Sequence, residues 1–218
     1  MFRKRRIVQA AAVVLLIAGT SCQAYHRHKP LAAESVIAAP EIYESQEDRL
    51  LVLKHQSSLH AIYKGIRDRF SPSKLEFFLI SGICFRTFQL KGTYDTYLSI
   101  NTKSSTRFNG GTTTFDKRAA SIFAACGRPL LTIAASESAL FQDSAVAGVM
   151  ISTRWGVEKK IKDTYRYDTY EEMILVVKKQ QISDFMSGTL TDQQLLDGST
   201  IIALSESESP HAVTITLE

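Results

Sequence analysis

The side chains best suited to proton transfer and metal binding are five histidines, and their spacing gives them little to do together. His26 and His28 share the tetrapeptide HRHK, a loose metal-binding pattern in a stretch without hydrophobic periodicity. His55 and His60 fall on a predicted helix, where five positions put them about 140° apart at ~100° per residue, so they do not act as an i, i+4 pair. His211 stands near the end of the chain. The pattern predicts neither a metal centre nor a bound cofactor. The sequence contains no GxSxG, SxxK, GxGxxG or GxxxxGK[ST], so no catalytic serine and no phosphate-cradling loop is signalled. Asp and Glu are plentiful, but nothing ranks one pair as the two carboxylates of a glycosidase. No catalytic residue is assigned.

Cysteine and tyrosine offer more. Cys84 in GICFRTF and Cys126 in IFAACG lie among hydrophobes, as buried free thiols do; in an oxidising compartment the two are also a candidate disulfide. The segment KKIKDTYRYDTYEE gathers Tyr165, Arg166, Tyr167 and Tyr170, a composition found at protein interfaces and at sugar-stacking platforms. The competing reading is a long hairpin whose tyrosines cover a sheet edge. Lys159, Lys160 and Lys162 beside it form either a solvated run or a patch for anionic headgroups. YDTY also occurs at Tyr94 to Tyr97, and each copy follows an apolar run broken by glycine, which raises the alternative of two related halves.

The compartment is read from the first residues. MFRKRR precedes an apolar run from Ile7 to Gly19 that only Gln9 interrupts, followed by small residues. Thirteen residues fall short of the ~18 to 20 that cross a bilayer as a helix, so the three-part pattern reads as an export signal over residues 1–21. Removing it takes four of the 26 basic residues and none of the 22 acidic ones, leaving 22 of each. That balance argues against a nucleic-acid partner, because non-specific affinity for phosphates needs surplus Lys and Arg.

The signal ends in GTSC, which resembles the lipobox of bacterial lipoproteins over residues 1–22, about a tenth of the chain. Thr20 and Ser21 suit their positions, while Gly19 stands where an aliphatic residue is usual. The resemblance implies that Cys22 is the lipid-attachment residue and that the membrane is a partner through an N-terminal lipid. Ordinary cleavage after Ser21 or Ala24 is the alternative, giving a soluble periplasmic or secreted chain.

The elements that must carry these residues follow in order. Residues 22–44 mix Ala, Pro and polar types without a period and read as a tether. Residues 45–218 read as one α+β domain. SQED at Ser45 opens a predicted helix with Val52, Leu59, Ile62, Tyr63, Ile66 and Phe70 on one face. KLEFFLISGICFRTFQL reads as a buried strand with Gly82 as a bulge or close approach, and TYDTYLSINT as its hairpin partner through KGT. Thr113 and Asp116 suggest a capping box opening FDKRAASIFAACG. PLLTIAAS, VAGVMISTRW, EEMILVVKK, STIIALSE and HAVTITLE read as strands, and QQISDFMSG and TLTDQQLLDG as short helices. The expected fold is α+β, a mainly antiparallel or mixed sheet packed against an N-terminal helix and two or three shorter helices. The expected role is a cell-envelope lipoprotein on the periplasmic side of a membrane, binding an envelope protein or glycan; the alternative is a periplasmic or secreted hydrolase.

Overall fold

The computed structural model describes residues 31–90, 92–161, 165–206 and 208–217. The chain enters through α1 (Ala33–Val36), a 3-10 turn (Pro40–Ile42), α2 (Gln46–Lys54) and α3 (Gln56–Arg69). β1 (Leu75–Phe77), β2 (Ile83–Leu90) and the 17-residue β3 (Thr93–Asn109) follow, and then α4 (Phe115–Ile122), a π-helical turn (Phe123–Gly127), α5 (Arg128–Ala135) and α6 (Ser138–Gln142). A long hairpin of β4 (Gly148–Ile161) and β5 (Tyr165–Lys178), then α7 (Lys179–Met186), α8 (Asp192–Gly198), β6 (Thr200–Ser205) and β7 (Glu208–Ala212) complete it.

These strands form one mixed sheet in the order β1-β3-β4-β5-β6-β7, with β2 also paired to β3. Only β3 and β4 run parallel, which the long helical crossover between them permits. β1 and β2 share one edge of β3, covering Thr102 to Ser104 and Thr93 to Ile100 respectively. The α+β class and the mixed sheet agree with the sequence pattern.

Strand alternation splits the sheet into two unlike faces. Ile83, Phe85, Leu98, Ile100, Val149, Ile151, Trp155, Met173, Leu175 and Ile201 point to the side where the buried residues of α2 to α8 pack, forming the main core. Burial of this face against helices is the dominant favourable contribution to folding. Residues 31–44, expected to be a tether, belong to it instead. Val36 and Ala38 are fully buried, Ile37 makes a parallel bridge to Ile83, and the Tyr43 hydroxyl accepts from the Phe85 amide. Four apolar side chains in eight residues outweighed the absence of periodicity.

Other differences have local causes. The first helix is two, broken at His55 and capped at Ser45, whose hydroxyl accepts from the amides of Glu47 and Asp48. KLEFF…FQL is two strands, because Phe78 to Gly82 leave the ladder; a Cβ on Gly82 would come within 2.6 Å of Val36 and 2.7 Å of the Phe78 carbonyl oxygen. The PLLTIAAS strand is α5, which continues from the π-helical turn with Pro129 near its start. Periodicity does not separate helix from strand in so short an apolar run. Thr113 forms no capping box; its backbone carbonyl instead accepts from Arg118 Nη1.

That contact belongs to a buried charge cluster in the core. Arg118 donates to Glu171 through Nε at 2.8 Å and Nη2 at 2.6 Å, and Trp155 Nε1 donates to the same carboxylate at 3.1 Å. The ends are 6 % and 5 % exposed, so the pair ties α4 to β5 only while complete. Glu171→Ala should cost about 3–5 kcal/mol by stranding the guanidinium and the indole N–H, whereas Arg118→Met with Glu171→Leu should recover most of that. Urea unfolding of both variants checks it.

Candidate functional site

The face of the sheet turned away from the helices holds the most unusual arrangement. By register, its rows run Cys84–Ser99–Met150–Val176–Thr200, then Asn101–Ser152–Ile174–Ile202, then Glu76–Lys103–Arg154–Glu172–Leu204. Tyr97, Met150, Ile174 and Val176 form a second buried cluster, with Phe88, Ala147, Ile202 and Leu204 partly buried around it. None of the described helices contributes a residue to this cluster. The Tyr97 hydroxyl is buried without a hydrogen-bond partner, and burial raises its pKa.

Below the apolar part lies a polar band. Ser152 Oγ donates to one oxygen of Glu172, and Arg154 donates to the other through Nε at 3.1 Å and Nη2 at 3.0 Å. The Arg154 guanidinium also stands 5.0 Å from the centre of the Phe78 ring. Ser99 donates to Asn101 Oδ1, and Asn101 Nδ2 donates to the Ser81 carbonyl. With these hydrogen bonds made and Arg154 paired with Glu172, the middle of the band is a fixed polar surface.

Of the tyrosine group, Tyr170 is on this face and 36 % exposed, with Lys103 Nζ 5.0 Å above its ring. Tyr165, Arg166 and Tyr167 pair with Ile161, Lys160 and Lys159 at the far end of the β4–β5 hairpin; their side chains, and the side chains of Lys159 and Lys160, lie outside the described residues. So do Lys162, Cys22, His26 and His28. The backbone of Tyr165 to Tyr170 belongs to one arm of the β4–β5 hairpin. Both YDTY copies begin the return strand of a hairpin, but β3 and β5 run in opposite directions, so the copies lie at opposite ends of the sheet. They do not build one site.

Cys84 and Cys126 are both free and buried, as in the first of the two readings that the sequence left open. Cys84 lies among Ser99 and Asn101, while Cys126 in the π-helical turn sits against Ser104, and residues 99 and 104 of one strand face opposite ways. The sheet stands between the sulfurs. Burial pushes both thiols up in pKa, which makes them poor nucleophiles.

No family model matches the chain, and neither a curated protein nor a solved structure matches it.

The nearest approach to an acid–base pair is at the break between α2 and α3. His55 Nε2 is 2.8 Å from Asp143 Oδ2, Lys54 Nζ donates to the same oxygen at 2.8 Å, and the Ala145 amide donates to Oδ1 at 3.0 Å. An open depression of about 440 Å³ lies beside it, lined by Leu50, Lys54, Tyr94 and Asp143 among others. His55 is 5 % exposed and packed beside Phe85, so the pair acts as a latch from the helical break to the loop before β4. Sequence spacing could not show it, since the partners are 88 positions apart. The Ser152–Arg154 relation was readable from period two alone, though its partner Glu172 was not. Among the described residues, no three His, Cys, Asp or Glu side chains converge as a metal set.

Hydrogen bonds from Lys54, then His55, hold the Asp143 carboxyl well below the ordinary carboxylate range. A depressed folded-state pKa contributes stability that is present above the unfolded value near ~4 and is lost as pH falls below it. Asp143→Asn should therefore lower the urea midpoint at neutral pH, with the gap to the parent closing on acidification. Equilibrium unfolding between about pH 3 and about pH 7 measures it.

Proposed function

We propose that the protein is a cell-envelope lipoprotein, held to a membrane through Cys22, whose domain works as a binding or assembly module on the periplasmic side. The observation that carries the binding part is the strand-only apolar cluster bordered by a satisfied polar band. Rigid strands present Phe88, Ile202 and Leu204 as its partly buried rim, and a large exposed aromatic, Tyr170, sits farther along the same face. Rigid apolar and aromatic groups beside fixed polar ones are the composition of protein-recognition surfaces. The anchoring part is supported by the GTSC sequence and by large apolar side chains exposed near the start of the described chain: Ile42, Leu50, Leu53, Leu79 and Ile80.

The hydrolase alternative draws on His55 and Asp143 beside the 440 Å³ depression, but there the carboxylate already holds Lys54 and the imidazole is buried. The binding reading is favoured.

Fatty-acid labelling should mark the parent chain and fail on Cys22→Ala; an unlabelled parent removes the anchor. A photo-crosslinking residue at Leu204, in cells of the native host, should give one discrete heavier adduct. The same residue at Ser121, exposed on a helix, should give none. Monomer alone at both positions would reject the second sheet face as a binding surface.

A further inference from the structure

Phe78 to Gly82 form a loop that the structure holds firmly by its backbone while its tip side chains stay exposed. Because β1 and β2 share one edge of β3, these residues leave the ladder opposite Asn101. Asn101 then fastens them three ways: its carbonyl accepts from the Phe78 amide at 3.2 Å, its amide donates to Gly82 at 2.8 Å, and its Nδ2 donates to the Ser81 carbonyl. On the outer side, the Ile80 amide donates to the Ser35 carbonyl at 2.8 Å.

At the tip, Leu79 is 53 % exposed and Ile80 62 %. Ile80 has φ of +66°, and it is the one described residue other than glycine with a positive φ. A β-branched side chain is strained in that region, where glycine or asparagine is at ease. Strain of this kind persists where the surroundings impose it and clusters at functional positions. Here the strained residue makes an aliphatic side chain point at solvent.

The position of the loop supplies the partner. Ser35 lies 13 positions after Cys22, so the stretch from Cys22 to the residue that holds Ile80 has a contour of about 45 Å at most. If Cys22 is in the membrane, the pole of the domain that carries Leu79 and Ile80 lies within that reach of the bilayer. Arg154, which stands over the Phe78 ring at the base of the loop, is paired with Glu172, and the two tip side chains are themselves purely aliphatic.

Resting on the anchoring reading above, we propose that Leu79 and Ile80 insert into the bilayer surface beside the chain's attachment point. The loop is then a second, non-covalent contact that orients the sheet relative to the membrane, since attachment at a single point leaves a domain free to tumble.

The test uses the full chain reconstituted through its own anchor into vesicles of phosphatidylethanolamine and phosphatidylglycerol. A membrane-impermeant maleimide is applied to Leu79→Cys and, as a reference, to Met186→Cys, which is exposed in the groove beside Arg128. Cys84 and Cys126 are buried and react slowly. Labelling at 79 should be about tenfold or more slower with vesicles than in detergent-free solution after release from the anchor, while 186 is unchanged. The protection should survive raised salt, because it is not charge-driven. Ile80→Gly should raise the melting temperature by relieving strain and weaken the protection at 79. A chain that never binds the vesicles removes the anchoring reading, and the insertion with it. A vesicle-bound chain labelled equally fast at 79 and 186, or protected only at low salt, overturns the insertion and leaves the anchor standing.

Discussion

The rest of the molecule depends on β3 having more length than any one neighbour can cover. Its 17 residues pair with β4 along one edge and with both β1 and β2 along the other. Unpaired backbone groups in a buried strand are costly, so the gap between β1 and β2 must be closed by something. Asn101 closes it with its own amide, carbonyl and side chain, all spent on the loop from Phe78 to Gly82. Residues 35 to 38 come in beside the loop and β2, where the Ile80 amide donates to the Ser35 carbonyl and Ala38 donates to the Ile83 carbonyl. One ladder thus fixes the incoming chain, the strained loop and the division between the two faces.

That division separates two kinds of buried charge. On the helix side, Arg118 and Glu171 are enclosed with Trp155 and make a core contact that tolerates no missing partner. On the other side, Glu172, the next residue along β5, meets Arg154 and Ser152, where Arg154 stays partly exposed. Adjacent glutamates therefore point in opposite directions and differ in what they do. The first holds α4 against the sheet, and the second fixes the polarity of a surface. Strand alternation is enough to assign them, once it is known that both faces are occupied.

The class of fold was legible because its signals are local. Ser45 caps a helix, Gly92 with φ of +90° precedes the return strand of the β2–β3 hairpin, EEMILVVKK is a strand, and QQISDFMSG closes on Gly188 with φ of +77°. What escaped the sequence depends on distant partners. The role of residues 31–44 follows from the exposed edge of β2, and the break at His55 is stabilised by Asp143 on another element. PLLTIAAS contains residues that suit either helix or strand, and the π-helical turn before it carries the chain on as a helix instead of releasing it. The site was less legible than the fold. Of the singled-out tyrosines, Tyr170 is the one whose side chain is described, and it lies on the face turned away from the helices, while the cysteines lie on opposite faces of the sheet.

The two YDTY copies show why a repeated sequence need not mean a repeated site. In each, the first tyrosine lies near the start of a strand and the last falls on the same face of the sheet, three positions on: Tyr97 and Tyr170 both point away from the helices. Local context then separates them. Tyr97 lies in mid-sheet beside Gly148, where the neighbours of β4 and β5 enclose it, while Tyr170 lies opposite Gly156, beyond the last pairing of β5 with β6 at Glu171. The four letters encode a return strand with an aromatic on one face. Whether that aromatic joins a buried cluster or stands half-open to solvent under a lysine is decided by how many strands remain alongside.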